Sequence, residues 1–267
     1  MRKITIAEEQ QIQLQILKYV DGICKQEHIQ YFLAAGTLLG AVRDGGFIDW
    51  DDDVDIWMKR KEYDRFINTV EKYPDERYFI QNCKTDKYFF IPGLSRICVN
   101  NTQKWGAEYK NRHFHQGIYF DIFPMDYVGS DMKKNRKQQI KCRMIIALGK
   151  RKYSKILKKF SVKEIILGMV SKVIPISFLN RLYDKTVRNT RPNNGKMIVY
   201  FSSAHPLEKI IFPSDWFDEA NYIDFEGEKY PVPSEYDKIL THLYGSDYMT
   251  PKITKPNYFA PYCTDSI

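Results

Sequence analysis

From Asp53 the chain reads Asp-Val-Asp-Ile-Trp-Met, with acid and apolar residues in strict alternation at its start. A period of two belongs to a β-strand with one wet and one buried face. It puts the Asp53 and Asp55 side chains on the same face, roughly 6–7 Å apart at Cα. Two carboxylates held so close repel each other unless a cation lies between them. Hard oxygen donors favour Mg²⁺ or Mn²⁺.

A second acid sits in the same kind of setting. Gly117-Ile-Tyr-Phe-Asp-Ile-Phe-Pro124 predicts a strand ended by proline, with Asp121 between buried neighbours. Three carboxylates from two neighbouring strands form a candidate metal site of the sort that clamps phosphoryl transfer. Upstream, Tyr31 to Ala35 predicts a short buried strand, broken by Gly36-Thr37 and followed by a helix to Arg43. A strand, a Gly-Thr turn and a helix start present backbone N–H groups and a hydroxyl to a phosphate. Arg43 supplies a neutralising charge. Acid runs such as Asp51-Asp52 are ordinarily solvated turns, and a lone Gly-Thr says little. The combination carries the reading.

The rest of the chain supplies a scaffold. Thr5 and Glu8 have capping-box spacing, and Ile12, Ile16, Val20 and Ile23 recur at helical spacing behind them. Tyr63, Phe66, Ile67 and Val70 mark another helix. Residues 196–267 read as loop-rich. No repeat or linker divides the 267 residues, so they read as one domain. The five cysteines are scattered and never spaced C-x-x-C, which excludes a disulfide framework and suggests a reducing compartment. The first residues lack an apolar leader core, and the most apolar stretch, residues 165–179, is broken by Lys172 and Pro175.

The net charge of +8 is unevenly spread. Residues 132–191 hold 18 Lys and Arg against Glu164 and Asp184, which leaves the remainder of the chain acidic. Residues 131–191 therefore read as a basic, mostly helical insertion. Its partner is expected to be an anionic membrane surface; no nucleic-acid-binding module is present, so nucleic acid is not expected.

The whole pattern resembles the nucleotidyltransferase fold, and one branch of it closely. Ala35-Gly-Thr-Leu-Leu-Gly-Ala-Val-Arg43 followed by Gly46-Phe-Ile-Asp-Trp-Asp-Asp-Asp-Val-Asp-Ile56 is similar to the signature of the LicD family. These are phosphorylcholine transferases of bacterial surface glycans, related to fukutin-type transferases. The likeness extends over residues 30–125 and 210–251, including Gly117 to Met125 and Tyr244-Gly-Ser-Asp-Tyr248. The chain departs from the family at Asp44 and Asp49, where His and Pro are common.

The resemblance implies an α/β (α+β) nucleotidyltransferase-like mixed sheet flanked by helices. It implies transfer of a phospho-alcohol, typically phosphocholine from CDP-choline, to a sugar hydroxyl of a lipopolysaccharide or teichoic acid precursor, with release of CMP. Asp53 and Asp55 would hold Mg²⁺ on the diphosphate, and Asp121 would complete the metal site and accept the hydroxyl proton. Gly36, Thr37, Arg43, Asp52, Arg96, Asp247 and Tyr248 would contact substrate. The acceptor is expected to be lipid-linked and the enzyme cytoplasmic, peripheral on the inner face of the cell membrane.

Other residues stay open. His113 and His115 read as metal or substrate contacts, or as structural. Arg96 is otherwise a surface ion pair. Trp57, Trp105, Tyr109, Tyr119 and Tyr244 can stack on a base or cage a quaternary ammonium, and Asp126 reads as a loop-capping acid. Two rival functions remain: transfer of a nucleoside monophosphate to a small molecule, and a non-enzymatic basic surface-binding protein.

Overall fold

The computed structural model describes residues 2–104, 113–152, 162–188, 195–251 and 261–263. Trp105 and Tyr109 lie outside the described residues. Its strands are β1 (Arg2–Lys3), β2 (Phe32–Leu33), β3 (Asp55–Lys59), β4 (Tyr78–Gln81), β5 (Ser95–Val99), β6 (Thr102–Gln103), β7 (Tyr119–Val128), β8 (Met197–Val199), β9 (Ile211–Pro213), β10 (Ala220–Phe225), β11 (Glu228–Pro233) and β12 (Tyr262–Cys263). The helices are α1 (Ile6–Gln26), α2 (Ala35–Arg43), α3 (Arg60–Thr69), α4 (Met132–Lys152), α5 (Val162–Val173), α6 (Ile176–Arg188), α7 (Leu207–Ile210) and α8 (Tyr236–Tyr244).

The fold is mixed α/β, as the sequence predicts. The main sheet runs β2-β3-β7-β5-β4, with β8 on β7 and β9 on β8. Only β3 and β7 pair in parallel; their neighbours are antiparallel. α1 begins with the expected capping box: Thr5 and Glu8 satisfy each other's backbone N–H groups. Among the described residues of the basic segment 132–188 most are helical, and α5 and α6 are separated at Pro175.

Three expectations are corrected. The acidic strand starts at Asp55; Asp53 lies in the segment leading into it. β7 does not end at Pro124 but runs on to Val128. The Asp121 N–H points to β3, where it donates to the Val54 carbonyl. By alternation, position 124 turns its missing N–H to the opposite edge, where β5 has already stopped pairing at Ile122. Residues 196–267 hold more than loop: β8, β9, the β10–β11 hairpin and α8 lie there.

That aromatic segment closes the core. Trp57 on β3 is fully buried, and its indole ring meets Tyr200, Phe212 and Phe217 at centroid distances of 5.6–5.8 Å. Trp57 is thus a packing residue and not part of a ligand cage. All five cysteines are free.

Candidate active site

The acids converge at one end of β3 and β7. Asp55 and Asp121 occupy partner positions on these parallel strands. Just before β3, carboxylate oxygens of Asp51, Asp52 and Asp53 lie within 4.8 Å of one another. Burial, then the charges of Asp53 and Asp52, push the Asp51 carboxyl up to about 7. Burial raises Asp53, although Lys104 opposes the shift. Burial, then Asp53 and Asp121, raises Asp55 well above the usual carboxylate range. Every donor in this cluster is a carboxylate oxygen. Their mutual repulsion is what a hard divalent cation relieves, so the residues fit Mg²⁺ or Mn²⁺.

The loop that carries Asp51–Asp53 is clasped at its backbone by two side chains of α1. Gln10 Nε2 donates to the carbonyls of Ile48 (3.2 Å) and Asp51 (2.9 Å). Gln13 Nε2 donates to the carbonyl of Tyr119 (2.8 Å) and, more distantly, Asp52 (3.4 Å). The turn of the β10–β11 hairpin grips the same loop from its other end. The Phe47 N–H donates to Glu226 Oε1 (3.0 Å), and the Glu226 N–H donates to the Gly45 carbonyl (3.0 Å).

The Gly-Thr turn takes a positioning role. Thr37 Oγ1 accepts the Asp55 N–H at 3.0 Å, fixing the start of β3. A Cβ at Gly36 would stand 2.5 Å from Asp51 Oδ2, so only glycine lets that carboxylate approach the first turn of α2. Arg43 is turned onto Asp44, at 2.7–3.2 Å. The acid at 44 gives Arg43 an internal counter-ion.

Two buried cations frame the acids. Arg96 faces Asp121 across the β5–β7 pair and binds it through Nε at 2.6 Å and Nη2 at 3.3 Å. It is a buried pair, not a surface one. Lys104 Nζ lies 2.9 Å from the fully buried Glu9 and 3.1 Å from Asp52. Tyr119 is sandwiched between them, its ring 3.8 Å from the Arg96 guanidinium carbon and 5.0 Å from Lys104 Nζ.

Other candidates fall elsewhere. Tyr248 donates to Asp237 Oδ1 at 2.6 Å, and Asp247 accepts the Thr250 N–H through its carbonyl. Asp126 is no loop cap: it lies on β7 and binds Arg60 in a fork at 2.7 and 2.8 Å. His115 is structural. Its Nε2–H donates to Asn100 Oδ1 (3.0 Å), its Nδ1 accepts the Gly117 N–H (3.1 Å), and its ring stacks on Phe79. The His113 ring lies against Tyr88.

Sequence reasoning missed Asp51, Lys104, Gln10 and Gln13. Asp51 was legible as part of the acid run. Tyr200 was missed too; with Tyr244 it is near the cluster. Burial raises both phenols, and Asp55 adds to each shift.

A mixed sheet whose adjacent strands present paired acids, beside a helix opened by Gly-Thr, defines a nucleotidyltransferase-type domain. The family model described as LicD/FKTN/FKRP, nucleotidyltransferase domain, matches residues 28–147. The match holds Asp51, Asp52, Asp53, Asp55 and Asp121 and ends inside α4. The chain is similar, at 29% identity over 256 residues and 93% of each sequence, to the lipopolysaccharide cholinephosphotransferase LicD of Haemophilus influenzae. It is also similar, at 28% identity over 128 residues, to an uncharacterized protein of Rickettsia typhi, covering 48% of this chain and 38% of that one.

Proposed function

We propose that this chain is a phosphocholine transferase that moves phosphocholine from CDP-choline to a sugar hydroxyl of a cell-surface glycan. The Haemophilus relative, similar along nearly its whole length, supports the reaction class. The observation that carries the reading is the registered pair Asp55–Asp121 beside the Asp51–Asp53 loop.

In this reading the acceptor oxygen attacks the phosphorus bearing choline. A new P–O bond forms, the bond to CMP breaks, and the hydroxyl proton passes to a carboxylate. Asp53, Asp55 and Asp121 would hold Mg²⁺ or Mn²⁺, which supplies charge neutralisation on the diphosphate. Arg96 fixes the plane of the Asp121 carboxylate and leaves each oxygen a further lone pair for a cation or a proton. Thr37 sets where Asp55 begins, and Gly36 leaves room for Asp51. Such chemistry needs positioning and electrostatics rather than a covalent nucleophile.

The acceptor is a lipopolysaccharide or teichoic acid precursor, lipid-linked at the inner face of the cell membrane. Among the described residues, no helix is long and apolar enough to cross a membrane. The test incubates the protein with CDP-choline and a lipopolysaccharide acceptor, with and without Mg²⁺. Phosphocholine incorporation with equimolar CMP, lost in Asp53→Asn and Asp55→Asn, is the expected result. Release of pyrophosphate from CTP would instead identify nucleotidyl transfer, and no turnover of either donor would favour the non-enzymatic reading.

A further inference from the structure

We propose that the outward face of α4 is a docking surface for an anionic lipid bilayer. This goes beyond the transferase reading, since it holds whichever group is transferred. The helix is amphipathic, and its inner face buries Cys142, Ile145, Ile146 and Gly149. The opposite face meets solvent, where a globular helix ordinarily mixes charges of both signs.

Here the outward face is apolar and basic only. Ile140 and Met144, one turn apart, are 52% and 60% exposed. Lys133, Lys137 and Lys141 flank them on the same face. The 21 residues of α4 contain nine Lys and Arg and no Asp or Glu. Some of these cations serve the fold: Arg136 pairs with Glu208, Arg143 holds the Ala204 and His205 carbonyls, and Lys152 binds the end of α5. Lys133, Lys137 and Lys141 have no carboxylate partner among the described residues.

The neighbouring helices extend the pattern. Phe178 and Leu182, one turn apart on α6, are exposed beside Arg181 and Lys185. Single exposed apolar side chains are ordinary; a concentration of them marks an interaction surface. Among the described residues, eight of the twelve exposed large hydrophobics lie in α4, α5 and α6.

The charge selects the occupant. A second copy would set lysines against lysines. Nucleic acid would satisfy the lysines but gives Ile140 and Met144 nothing to bury against. An anionic bilayer accepts both, with the aliphatic side chains at the headgroup boundary and the lysines on lipid phosphates. α4 also starts four residues after β7, the strand that carries Asp121, so docking there ties the site to the membrane through one short connection.

The test is co-sedimentation of the full-length protein with vesicles of phosphatidylcholine alone or mixed with phosphatidylglycerol, at low and high salt. Association only with the anionic vesicles, weakened by salt, is expected. Lys133→Gln/Lys137→Gln/Lys141→Gln should weaken it roughly a hundredfold. Ile140→Asn/Met144→Asn should weaken it by roughly tenfold. All five side chains are exposed, so the denaturation midpoint and CDP-choline binding in solution should stay unchanged. Loss of CDP-choline binding in these variants would place the face within the active site and overturn the proposal. So would equal binding to both vesicle types, binding to neither, vesicle affinity indifferent to Ile140→Asn/Met144→Asn, or lipid-free self-association that this variant abolishes. Failure of CDP-choline turnover in the wild type bears only on the transferase reading.

Discussion

Arg96 and Asp121 sit opposite each other on antiparallel strands, and the guanidinium closes on the carboxylate at 2.6 Å beneath the acid cluster. Removing one member of a buried pair strands the other. Arg96→Gln should therefore lower stability by about 3–5 kcal/mol, read from chemical denaturation. Arg96→Lys keeps the charge but loses the fork, so it should recover much of the stability and little of the activity.

Lys104 is the counter-charge of both Glu9 and Asp52. Lys104→Met takes a cation 2.9 Å away from the fully buried Glu9, and a loss of about 3 kcal/mol is expected. Adding Glu9→Gln should return a large part of it. A double-mutant cycle on denaturation midpoints checks this; strict additivity of the two changes would contradict the pairing.

A Cβ at Gly40 would collide with the Gly46 carbonyl oxygen, a backbone atom. Alanine is the better helix former by about 1 kcal/mol. Overpacking should nonetheless win, and Gly40→Ala should destabilise by roughly 1–3 kcal/mol. The Gly36→Ala methyl meets only the tip of Asp51, so it should cost less stability and more turnover.

Burial holds His115 below the ordinary imidazole range, and both ring nitrogens are engaged in the neutral form. The folded state thus binds the proton less readily than the unfolded chain. The stability from this site should be present above about pH 6.5 and lost as the pH falls further, towards the folded value. The wild type should lose stability relative to His115→Gln as the pH falls below about 6.5, read as the difference between the two denaturation midpoints, since the acid cluster contributes its own slope to both.

Tyr244 faces the acid cluster from the end of α8. If its ring receives the quaternary ammonium, Tyr244→Ala should raise the KM for CDP-choline roughly five- to thirtyfold, from a cation–π contact of about 1–2 kcal/mol. Tyr244→Phe should keep most of the affinity. Equal KM values in all three proteins would remove the ring from the donor site.

Local signals in the sequence carried far. The Thr5–Glu8 capping box, the acid-apolar alternation into β3 and the helical basic segment each rest on neighbours a few residues apart. What joined distant positions stayed hidden. Arg96 meets Asp121 and Lys104 meets Glu9 only because strand pairing and helix packing bring them together. Pro124 reads as a strand end until the pairing shows which edge its missing N–H faces. β8 and β9, three residues each, are too brief for a period of two to show, and they form by pairing with β7 and with each other.

The clasp of Gln10 and Gln13 on the acidic loop has a practical corollary. Both glutamines precede residue 28, and the Glu226 hairpin follows residue 147, so these clasps on the loop lie outside the segment that the family model matches. A graft of that segment onto a foreign scaffold would transplant Asp51–Asp55 and Asp121 with Thr37, Arg96 and Lys104, and leave behind the glutamines and the hairpin that clasp the acidic loop. The working unit is therefore larger than the recognisable one, and shortening the chain from either end removes a wall of the site before it reaches the Asp51–Asp55 or Asp121 carboxylates.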